Sequence, residues 1–317
     1  MKKIAFLDTV HPVLEDGLVQ LGWICDNLTH LSESQVKEVL VNYHGIVIRS
    51  RFPMNEEFLK SAEKLEFIAR SGAGMENIDV SYCESRGIKL FNAPEGNRNA
   101  VAEHALGMLL SLFNQLKKGD LEIRDGIWDR EGNRGVELEG MTVGIIGYGN
   151  NGSAFAKKLR GFDVKILAHD KYKSGYGDAF VTEATLSEIQ EKADVLSLNV
   201  PLTPLTKGLI NNRFIHQMNK PFYLINLSRG AIVNTADLMD ALETAKVKGA
   251  CLDVLEYEKT SFEDMFNEGN EMPLPFKYLI NAENVILSPH VGGWTTNSYF
   301  KLSAVLLEKI KAYTENN

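Results

Sequence analysis

Residues 142–162 of this chain, TVGIIGYGNNGSAFAKKLRGF, decide its fold. The apolar run TVGII predicts a buried strand, and the segment SAFAKKLRGF has helical character. The turn between them is glycine-rich, and five of its residues are candidates to cradle a ligand: Gly147, Gly149, Asn150, Asn151 and Gly152. At a strand-to-helix turn the first glycine permits the tight turn, the second lets a pyrophosphate approach the backbone, and the third lets the helix pack on the strand. The stretch predicts a Rossmann-type dinucleotide site whose helix N-terminus attracts the anion.

A carboxylate stands at the end of the next strand-like run. The run VKILAHD places Asp170 at about the separation expected for a side chain that binds the ribose 2′-hydroxyl of a dinucleotide. Because a carboxylate repels a 2′-phosphate, Asp170 favours NAD over NADP. Lys171 and Lys173 lie nearby and weaken that preference.

Strand-like runs and helical segments alternate along the chain. The strand-like runs are 3–7, 46–49, 66–69, 88–91, 142–146, 164–168, 194–198, 222–226, 249–253 and 284–288. This alternation predicts an α/β fold with two doubly wound parallel sheets joined by crossover helices. Between the two series, residues 100–113 have helical spacing with apolar residues nearly all round, which is typical of a helix buried on more than one side at a domain junction or dimer contact. A last helix is expected at 294–313.

Length and composition limit the classes of protein. A chain of 317 residues is too long for one ordinary core, so two domains are expected. The net charge of −8 argues against a nucleic-acid partner, which would need a basic face. The cysteines Cys25, Cys83 and Cys251 are widely spaced, so neither a disulfide framework nor a metal site is expected. The first apolar run ends at Asp8, too early for a signal peptide, and no run has membrane-spanning length. We therefore expect a cytoplasmic protein without a membrane partner.

Three polar side chains follow late strand-like runs, where open α/β sheets place their ligands. They are Arg229 after FYLINLS, Glu258 after CLDVLEY and His290 after VILSP. Carbonyl reduction needs this combination, because arginine binds a substrate carboxylate in bidentate geometry, histidine transfers a proton, and the carboxylate orients the imidazole. The remaining histidines are interpreted as ordinary structural residues: His11, His30, His44, His104, His169 and His216.

The motifs around these residues resemble the D-isomer-specific 2-hydroxyacid dehydrogenase family. The matching segments are RSGAG (70–74), NAP (92–94), AEH (102–104), GIIGYG (144–149), NLSRG (226–230), DV (253–254) with Glu258 five residues after the aspartate, and SPHVGG (288–293). They follow the family's order and cover nearly the whole chain. Collinearity of this extent is more specific than any single motif.

The resemblance implies a domain organisation and further site residues. It implies a flavodoxin-like substrate domain formed by residues 1–99 and 291–317, a Rossmann-type NAD domain at 100–290 inserted into it, an active site in the intervening cleft, and a homodimer. Residues implied to contact the cofactor are Ala73, Val200, Ser228, Asp253, which would face the nicotinamide carboxamide, and Gly293. Residues whose backbone amides are implied to receive the substrate carboxylate are Ser71, Gly72 and Gly74, around Ala73.

The expected partner is a small 2-hydroxy or 2-keto acid. Arg49, Arg51 and Arg70 resemble the arginines of family members that act on 3-phosphoglycerate, and a planar guanidinium suits phosphate. The alternatives are glyoxylate, hydroxypyruvate or another 2-keto acid, and an NAD-sensing protein like the corepressors of similar architecture. No regulatory domain is expected after the catalytic region. Two departures from the family pattern are Lys259, where proline is common, and Trp294, where a smaller residue is common.

Overall fold

A computed structural model describes residues 2–258 and 272–315; Lys259 lies outside the described residues. The strands are β1 Lys3–Phe6, β2 Ile24–Asn27, β3 Gly45–Ile48, β4 Phe67–Arg70, β5 Lys89–Asn92, β6 Thr142–Ile146, β7 Lys165–His169, β8 Val181–Glu183, β9 Val195–Leu198, β10 Phe222–Asn226, β11 Val247–Leu252 and β12 Val285–Leu287. The α-helices are α1 Pro12–Gln20, α2 Glu33–Val39, α3 Glu56–Leu59, α4 Val80–Ser85, α5 Pro94–Phe113, α6 Leu116–Arg124, α7 Asn150–Leu159, α8 Leu186–Lys192, α9 Asn212–Gln217, α10 Thr235–Glu243, α11 Leu274–Asn281 and α12 Thr296–Glu315. Short 3-10 helices span Leu40–Asn42 and Gly230–Ile232.

The chain forms two compact units. The five-stranded unit comprises residues 1–98 and 294–317, and the seven-stranded unit comprises 99–293. The sequence-derived boundaries stand at 99/100 and 290/291, a few residues from these positions. Which unit binds substrate and which binds NAD stays a prediction.

The five-stranded unit has the strand order β2-β1-β3-β4-β5, with every pair parallel. This is the flavodoxin-like order, in which ligands bind at the carboxyl ends of the strands beside the β1/β3 switch point. Strands β3 and β4 are buried along their whole length, which explains why β3 (GIVI) and the first three residues of β4 (FIA) are apolar. Helices α1 and α12 pack together on one face, where a side chain at Gly17 would collide with Leu307.

The seven-stranded unit has the order β12-β11-β10-β9-β6-β7-β8, also parallel throughout. The first six strands of the unit have the Rossmann order, which places the switch point between β6 and β9. Helix α5 covers one face of this sheet, with Ala102, Met108 and Phe113 in the core. The prediction of an α/β fold with two parallel sheets is thus confirmed.

Two strands, β2 and β8, were not predicted from the sequence, and helix α5 is longer than predicted. Strands β2 and β8 are the edge strands of their sheets, and each is short and partly exposed. Helix α5 begins at Pro94 rather than at residue 100, because proline fits the first turn of a helix, where no amide hydrogen bond is needed. Within the described ranges, no helix is both long and apolar enough to cross a membrane.

Candidate active site

The glycine loop after β6 has the geometry of a phosphate cradle. Gly147 has a φ of +93°, and a Cβ there would lie 2.4 Å from the carbonyl oxygen of Asn199. A Cβ at Gly152 would lie 2.0 Å from the carbonyl oxygen of Gly147, so the helix approaches the strand as closely as the motif predicts. Gly149 is the N-cap of α7; it makes no side-chain cap, and the space around its Cβ position is open. Since no side chain caps it, the N-terminus of α7 suits an anion.

Neighbouring residues complete this surface. Asn150 and Asn151 are the first two residues of α7, and the buried Oδ1 of Asn151 has no hydrogen-bond partner among the described residues. Val200, just after β9, lies against Gly147, with its Cγ1 2.8 Å from the ideal Cβ position. Ser228 is buried, and its hydroxyl donates to the carbonyl oxygen of Leu198 at 2.8 Å. These residues fit a dinucleotide by position, and their individual contacts with it stay predictions.

Asp170 lies at the end of β7 and binds the glycine loop directly. Its Oδ2 accepts from the backbone N–H of Tyr148 at 2.8 Å, and its Oδ1 accepts from those of Tyr172 at 2.9 Å and Lys173 at 3.1 Å. Burial raises the pKa of this carboxyl, but the three backbone donors and the Lys173 ammonium outweigh burial and lower the pKa overall. Asp170 is therefore an anion fixed beside the loop, as the preference for NAD requires.

His290 and Glu258 form a hydrogen-bonded pair. The distance from His290 Nδ1 to Glu258 Oε2 is 2.7 Å, and Glu258 Oε1 accepts from the backbone N–H of Leu255 at 2.6 Å. An ionised carboxylate only accepts hydrogen bonds, so the geometry assigns the proton of neutral His290 to Nδ1. Nε2 is then the unprotonated ring nitrogen, which can accept a proton from a substrate hydroxyl. The two side chains are each about one quarter exposed, at 23% and 24%.

A buried carboxylate holds the loop that carries His290. Asp253 is 2% exposed; its Oδ1 accepts from the Ser288 hydroxyl at 2.6 Å and the Val291 amide at 2.9 Å, and its Oδ2 accepts from the Gly292 amide at 2.8 Å. The backbone N–H of His290 donates to the Asp253 carbonyl oxygen at 2.8 Å. These contacts stabilise the left-handed backbone of His290, whose φ is +54°. The structure gives Asp253 a positioning contact within the loop; its predicted contact with the nicotinamide stays a prediction.

His104 belongs to the same network, which the sequence analysis missed. Its Nε2 lies 2.9 Å from the Ser288 hydroxyl oxygen and 3.6 Å from Asp253 Oδ1. Because the Ser288 hydroxyl donates to Asp253, it accepts from His104, and the proton of His104 is assigned to Nε2. The two residues lie 184 positions apart in the chain, so no local pattern indicates the contact. Only the AEH motif around His104 marked the position.

Arg229 lies on the neighbouring loop after β10. The Asn226 side chain donates to the Arg229 carbonyl oxygen at 3.0 Å, and the guanidinium donates to the Ser228 carbonyl oxygen at 2.6 Å. A Cβ at Gly230 would lie 1.9 Å from the carbonyl oxygen of Leu255, so the Arg229 loop contacts the loop that leads to Glu258. Since β10, β11 and β12 are adjacent parallel strands, the loops that carry Arg229, Glu258 and His290 emerge at the same edge of the sheet.

In the five-stranded unit, three predicted arginines have different environments. The Arg51 guanidinium donates to three carbonyl oxygens, those of Leu7 (3.2 Å), Leu28 (3.4 Å) and Leu31 (2.7 Å). These three hydrogen bonds tie the Arg51 side chain to the segments that follow β1 and β2. Arg70 is 9% exposed, and its Nε donates to the Arg49 carbonyl oxygen at 3.1 Å.

Arg49 has a third kind of environment. Its guanidinium lies 4.1 Å from the centre of the Trp294 ring. Throughout 2–258 and 272–315, this guanidinium makes no hydrogen bond or ion pair. The backbone N–H of Arg49 donates to Asp8 Oδ2. The same oxygen, Asp8 Oδ2, also accepts from the backbone N–H groups of Ser50 and Arg51, so one carboxylate binds three consecutive amides.

In the loop after β4, some backbone amides donate to protein carbonyl oxygens and others do not. The N–H of Ser71 donates to Ile48 at 2.8 Å, and that of Gly72 donates to Arg70 at 2.9 Å. In the described part of the chain, the N–H groups of Ala73 and Gly74 have no protein acceptor. Of the three amides predicted to receive a carboxylate, those of Ser71 and Gly72 are thus engaged within the protein, and that of Gly74 is the one available.

Comparisons with known proteins identify the class. Residues 106–292 match the model of the D-isomer specific 2-hydroxyacid dehydrogenase NAD-binding domain. A D-3-phosphoglycerate dehydrogenase of Synechocystis is 32% identical over 98% of this chain and 54% of its own length. A hydroxypyruvate reductase of Thermotoga maritima is 31% identical over 89% of this chain and 88% of its own length. The structure of D-2-hydroxyisocaproate dehydrogenase aligns over 100% of this chain and 98% of its own, with a TM-score of 0.85 and 26% identity.

The chain belongs to the D-isomer specific 2-hydroxyacid dehydrogenase family, and it contains the family's NAD-binding domain. The predicted family and the predicted cofactor, NAD, are thereby confirmed, while the individual residues predicted to bind the cofactor stay predictions. The chain spans about half the length of the phosphoglycerate dehydrogenases that it matches. Among the described residues, no group of three or more histidine, cysteine, aspartate or glutamate side chains could hold a metal ion.

Proposed function

We propose that this chain is an NAD-dependent D-2-hydroxyacid dehydrogenase that interconverts 3-phosphoglycerate and phosphohydroxypyruvate. The observation that carries the proposal is the 2.7 Å hydrogen bond between His290 and Glu258 at the strand edge that also presents Arg229. A proton-transfer group, its orienting carboxylate and a carboxylate-binding cation are the side chains that this reaction uses.

In the proposed oxidation, Arg229 binds the substrate carboxylate with its planar fork. His290 Nε2 accepts the proton of the 2-hydroxyl group, and Glu258 stabilises the resulting imidazolium through Nδ1. NAD held by the glycine loop would supply the acceptor for the hydride from C2. Loss of the hydride and the proton leaves the 2-keto acid, and reduction follows the same steps in reverse.

The glycine loop and Asp170 account for the choice of cofactor. The open space at Gly149 and the N-terminus of α7 would hold the pyrophosphate, and Asp170 would accept hydrogen bonds from the adenosine ribose. Asp170 uses three backbone donors, while a carboxylate has about four acceptor sites, so one site remains for a hydroxyl.

For the distal phosphate, Arg49 is the best candidate among the three arginines. Arg51 is engaged with three backbone carbonyls, and the buried Arg70 donates to Arg49. Among the described residues, nothing accepts a hydrogen bond from the Arg49 guanidinium, so its N–H groups can bind a phosphate. Several relatives named D-3-phosphoglycerate dehydrogenase support a phosphorylated substrate.

Reduction of hydroxypyruvate is a second candidate function. It is favoured by the Thermotoga maritima hydroxypyruvate reductase, of which this chain covers 88%, against 54% of the Synechocystis phosphoglycerate dehydrogenase. Engagement of Arg51 within the protein also leaves fewer cations for a phosphate.

A substrate screen distinguishes these functions. The purified chain is mixed with NADH, and the loss of NADH absorbance is followed with phosphohydroxypyruvate, hydroxypyruvate and glyoxylate. The proposal expects the highest kcat/KM with phosphohydroxypyruvate. A higher value with an unphosphorylated acid would support the second candidate. Tight NADH binding without turnover of any acid would instead support an NAD-sensing protein.

We also propose that the chain is a cytoplasmic homodimer. Helix α6 buries none of its residues within the chain, and it exposes Leu116, Leu121 and Ile123; the following segment exposes Ile127 and the 81% exposed Trp128. Covering an apolar stretch of this kind with a second copy removes it from water. Sedimentation of the chain and of Ile123→Asp tests this: a dimer that the substitution dissociates is expected, and a monomeric parent chain would refute the proposal. Cys83 and Cys251 are free and buried, which suits a reducing compartment.

A further inference from the structure

The pair formed by Arg49 and Trp294 combines an arginine predicted to bind phosphate with a residue that departs from the family pattern. The Arg49 guanidinium carbon lies 4.1 Å from the centre of the indole ring. At this distance the positive charge is attracted to the negative face of the ring. Both residues belong to the five-stranded unit, so the contact lies within one compact body.

Aromatic neighbours fix the indole in place. The ring of Tyr299, in the first turn of α12, meets the Trp294 ring edge to face at 5.6 Å, and it meets the His11 ring at 5.5 Å. His11 is itself held as the N-cap of α1, where Nδ1 accepts from the Val13 amide. Trp294 also precedes Thr295, whose hydroxyl accepts from the Ser298 amide at 3.0 Å. The indole is therefore a supported surface, although it is 46% exposed.

Arg49 is anchored at its backbone end as well. Its N–H donates to Asp8 Oδ2 at 2.7 Å, and its carbonyl oxygen accepts from Arg70 at 3.1 Å. Arg49 directly follows β3, beside the β1/β3 switch point, where doubly wound sheets bind ligands. Both ends of this side chain are thus fixed, and its guanidinium has no carboxylate partner among the described residues.

We propose that Trp294 is a specificity-determining residue, which positions the Arg49 guanidinium to bind the distal phosphate of a phosphorylated 2-keto acid. This inference rests on the proposed function and names the residue that selects its substrate. A ring beneath the guanidinium leaves its N–H groups pointing outward in the guanidinium plane, where a phosphate accepts them in pairs. Because the side chain is ordered before binding, less rotamer freedom is lost when the phosphate binds.

Steady-state kinetics of Trp294→Ala test the proposal. With phosphohydroxypyruvate, kcat/KM should fall about three- to thirtyfold, mainly through KM, which corresponds to the usual range of cation–π energies. With hydroxypyruvate, kcat/KM should change by no more than about twofold, because that substrate lacks the phosphate. Trp294→Phe keeps a ring and should lose less. Phe180→Ala, which removes an exposed ring that lies 4.5 Å from the Arg160 guanidinium in the other unit, is the matched control and should not discriminate between the substrates.

A double-mutant cycle tests whether Trp294 acts through Arg49. If it does, adding Trp294→Ala to Arg49→Ala should cause little further loss with phosphohydroxypyruvate. Additive losses, or equal losses with both substrates in Trp294→Ala, would overturn the proposal, since a merely structural role would affect the two keto acids alike.

Fluorescence provides a readout that needs no turnover. Of the three tryptophans, Trp23 is buried and Trp128 lies in the other unit, so inorganic phosphate at Arg49 should change the emission of Trp294. The change should disappear in Trp294→Phe and in Arg49→Ala. An unchanged parent spectrum at saturating phosphate would overturn the inference. Failure of every keto acid as a substrate would overturn the proposed function, while the titration would still decide the role of the pair.

Discussion

Replacement of His290 tests the proposed chemistry most directly. Its φ of +54° determines which substitution is informative, because few side chains tolerate the left-handed region and asparagine is one that does. His290→Asn removes the imidazole and keeps the backbone conformation. His290→Gln is closer in size but strains the backbone, so the two variants together separate lost chemistry from a displaced loop.

The size of the effect follows from what the substitution removes. A positioned acid-base group contributes about 100- to 10,000-fold to turnover, or about 3 to 5 kcal/mol of transition-state stabilisation. Folding should change much less. Asp253 holds the loop through the Ser288 hydroxyl and through the amides of Val291 and Gly292, and all three remain in the variant. Glu258 loses one partner but keeps the Leu255 amide, and it is 24% exposed to water.

The assay compares turnover with cofactor binding. For His290→Asn, kcat with phosphohydroxypyruvate and with hydroxypyruvate should fall by at least about two orders of magnitude. The Kd for NADH, measured by fluorescence titration, should stay near that of the parent chain. His216→Asn is the matched control, since His216 is exposed and, among the described residues, its ring binds the Asn212 carbonyl oxygen of its own helix; it should retain normal turnover. Near-normal kcat in a correctly folded His290→Asn would remove this residue from the mechanism.

Further substitutions address cofactor, substrate and fold. Asp170→Ala should narrow the preference for NADH over NADPH by relieving repulsion of the 2′-phosphate, and a parent chain that prefers NADPH would contradict the assignment. The pKa of Asp170 is lowered in the folded chain, so its ionised carboxylate stabilises the fold above the ordinary carboxyl pKa range, and this effect is lost in acid. In urea denaturation, the parent chain should therefore exceed Asp170→Asn in free energy of unfolding at neutral pH, and the difference should shrink as the pH falls. Arg49→Ala should reduce kcat/KM for phosphohydroxypyruvate about ten- to one-hundredfold more than for hydroxypyruvate. Arg51→Ala should lower Tm and affect both substrates alike. The reverse pattern would make Arg51 the phosphate-binding residue and Arg49 the structural one. Gly230→Ala places a methyl group against the backbone of the adjacent loop and should lower the free energy of unfolding by about 1 to 3 kcal/mol, while Gly161→Ala, in open space, should be nearly neutral; equal stabilities would refute the close contact.

The central strands were predictable because burial on both faces leaves continuous apolar runs. Apolar runs predicted β6, β9 and β10, because parallel strands covered by helices on both faces consist mostly of apolar residues. The edge strands β2 and β8 were missed for the opposite reason. Their residues are only partly buried, and ICDN and VTE carry no apolar pattern that separates them from loops.

The candidate site was predictable where a residue type and a strand end coincide, as for Arg229, Glu258 and His290. Contacts between distant segments were not predictable. The network of His104, Ser288 and Asp253 depends on how α5 packs against the strand ends. The contrast between Arg49 and Arg51 was also hidden, since two arginines in one short segment look equivalent until the carbonyl oxygens around them are known.

The carboxylate of Asp8, which binds three consecutive amides of the Arg49 segment, bears on how this protein could change its substrate. The backbone of that segment is held by an internal anion, so its shape does not depend on which side chains it carries or on which acid arrives. Exchange of the side chain at position 49 or 294 should therefore alter ligand preference without refolding the segment. If this unit binds the substrate as we propose, single substitutions at these positions should be enough to change which acid is preferred.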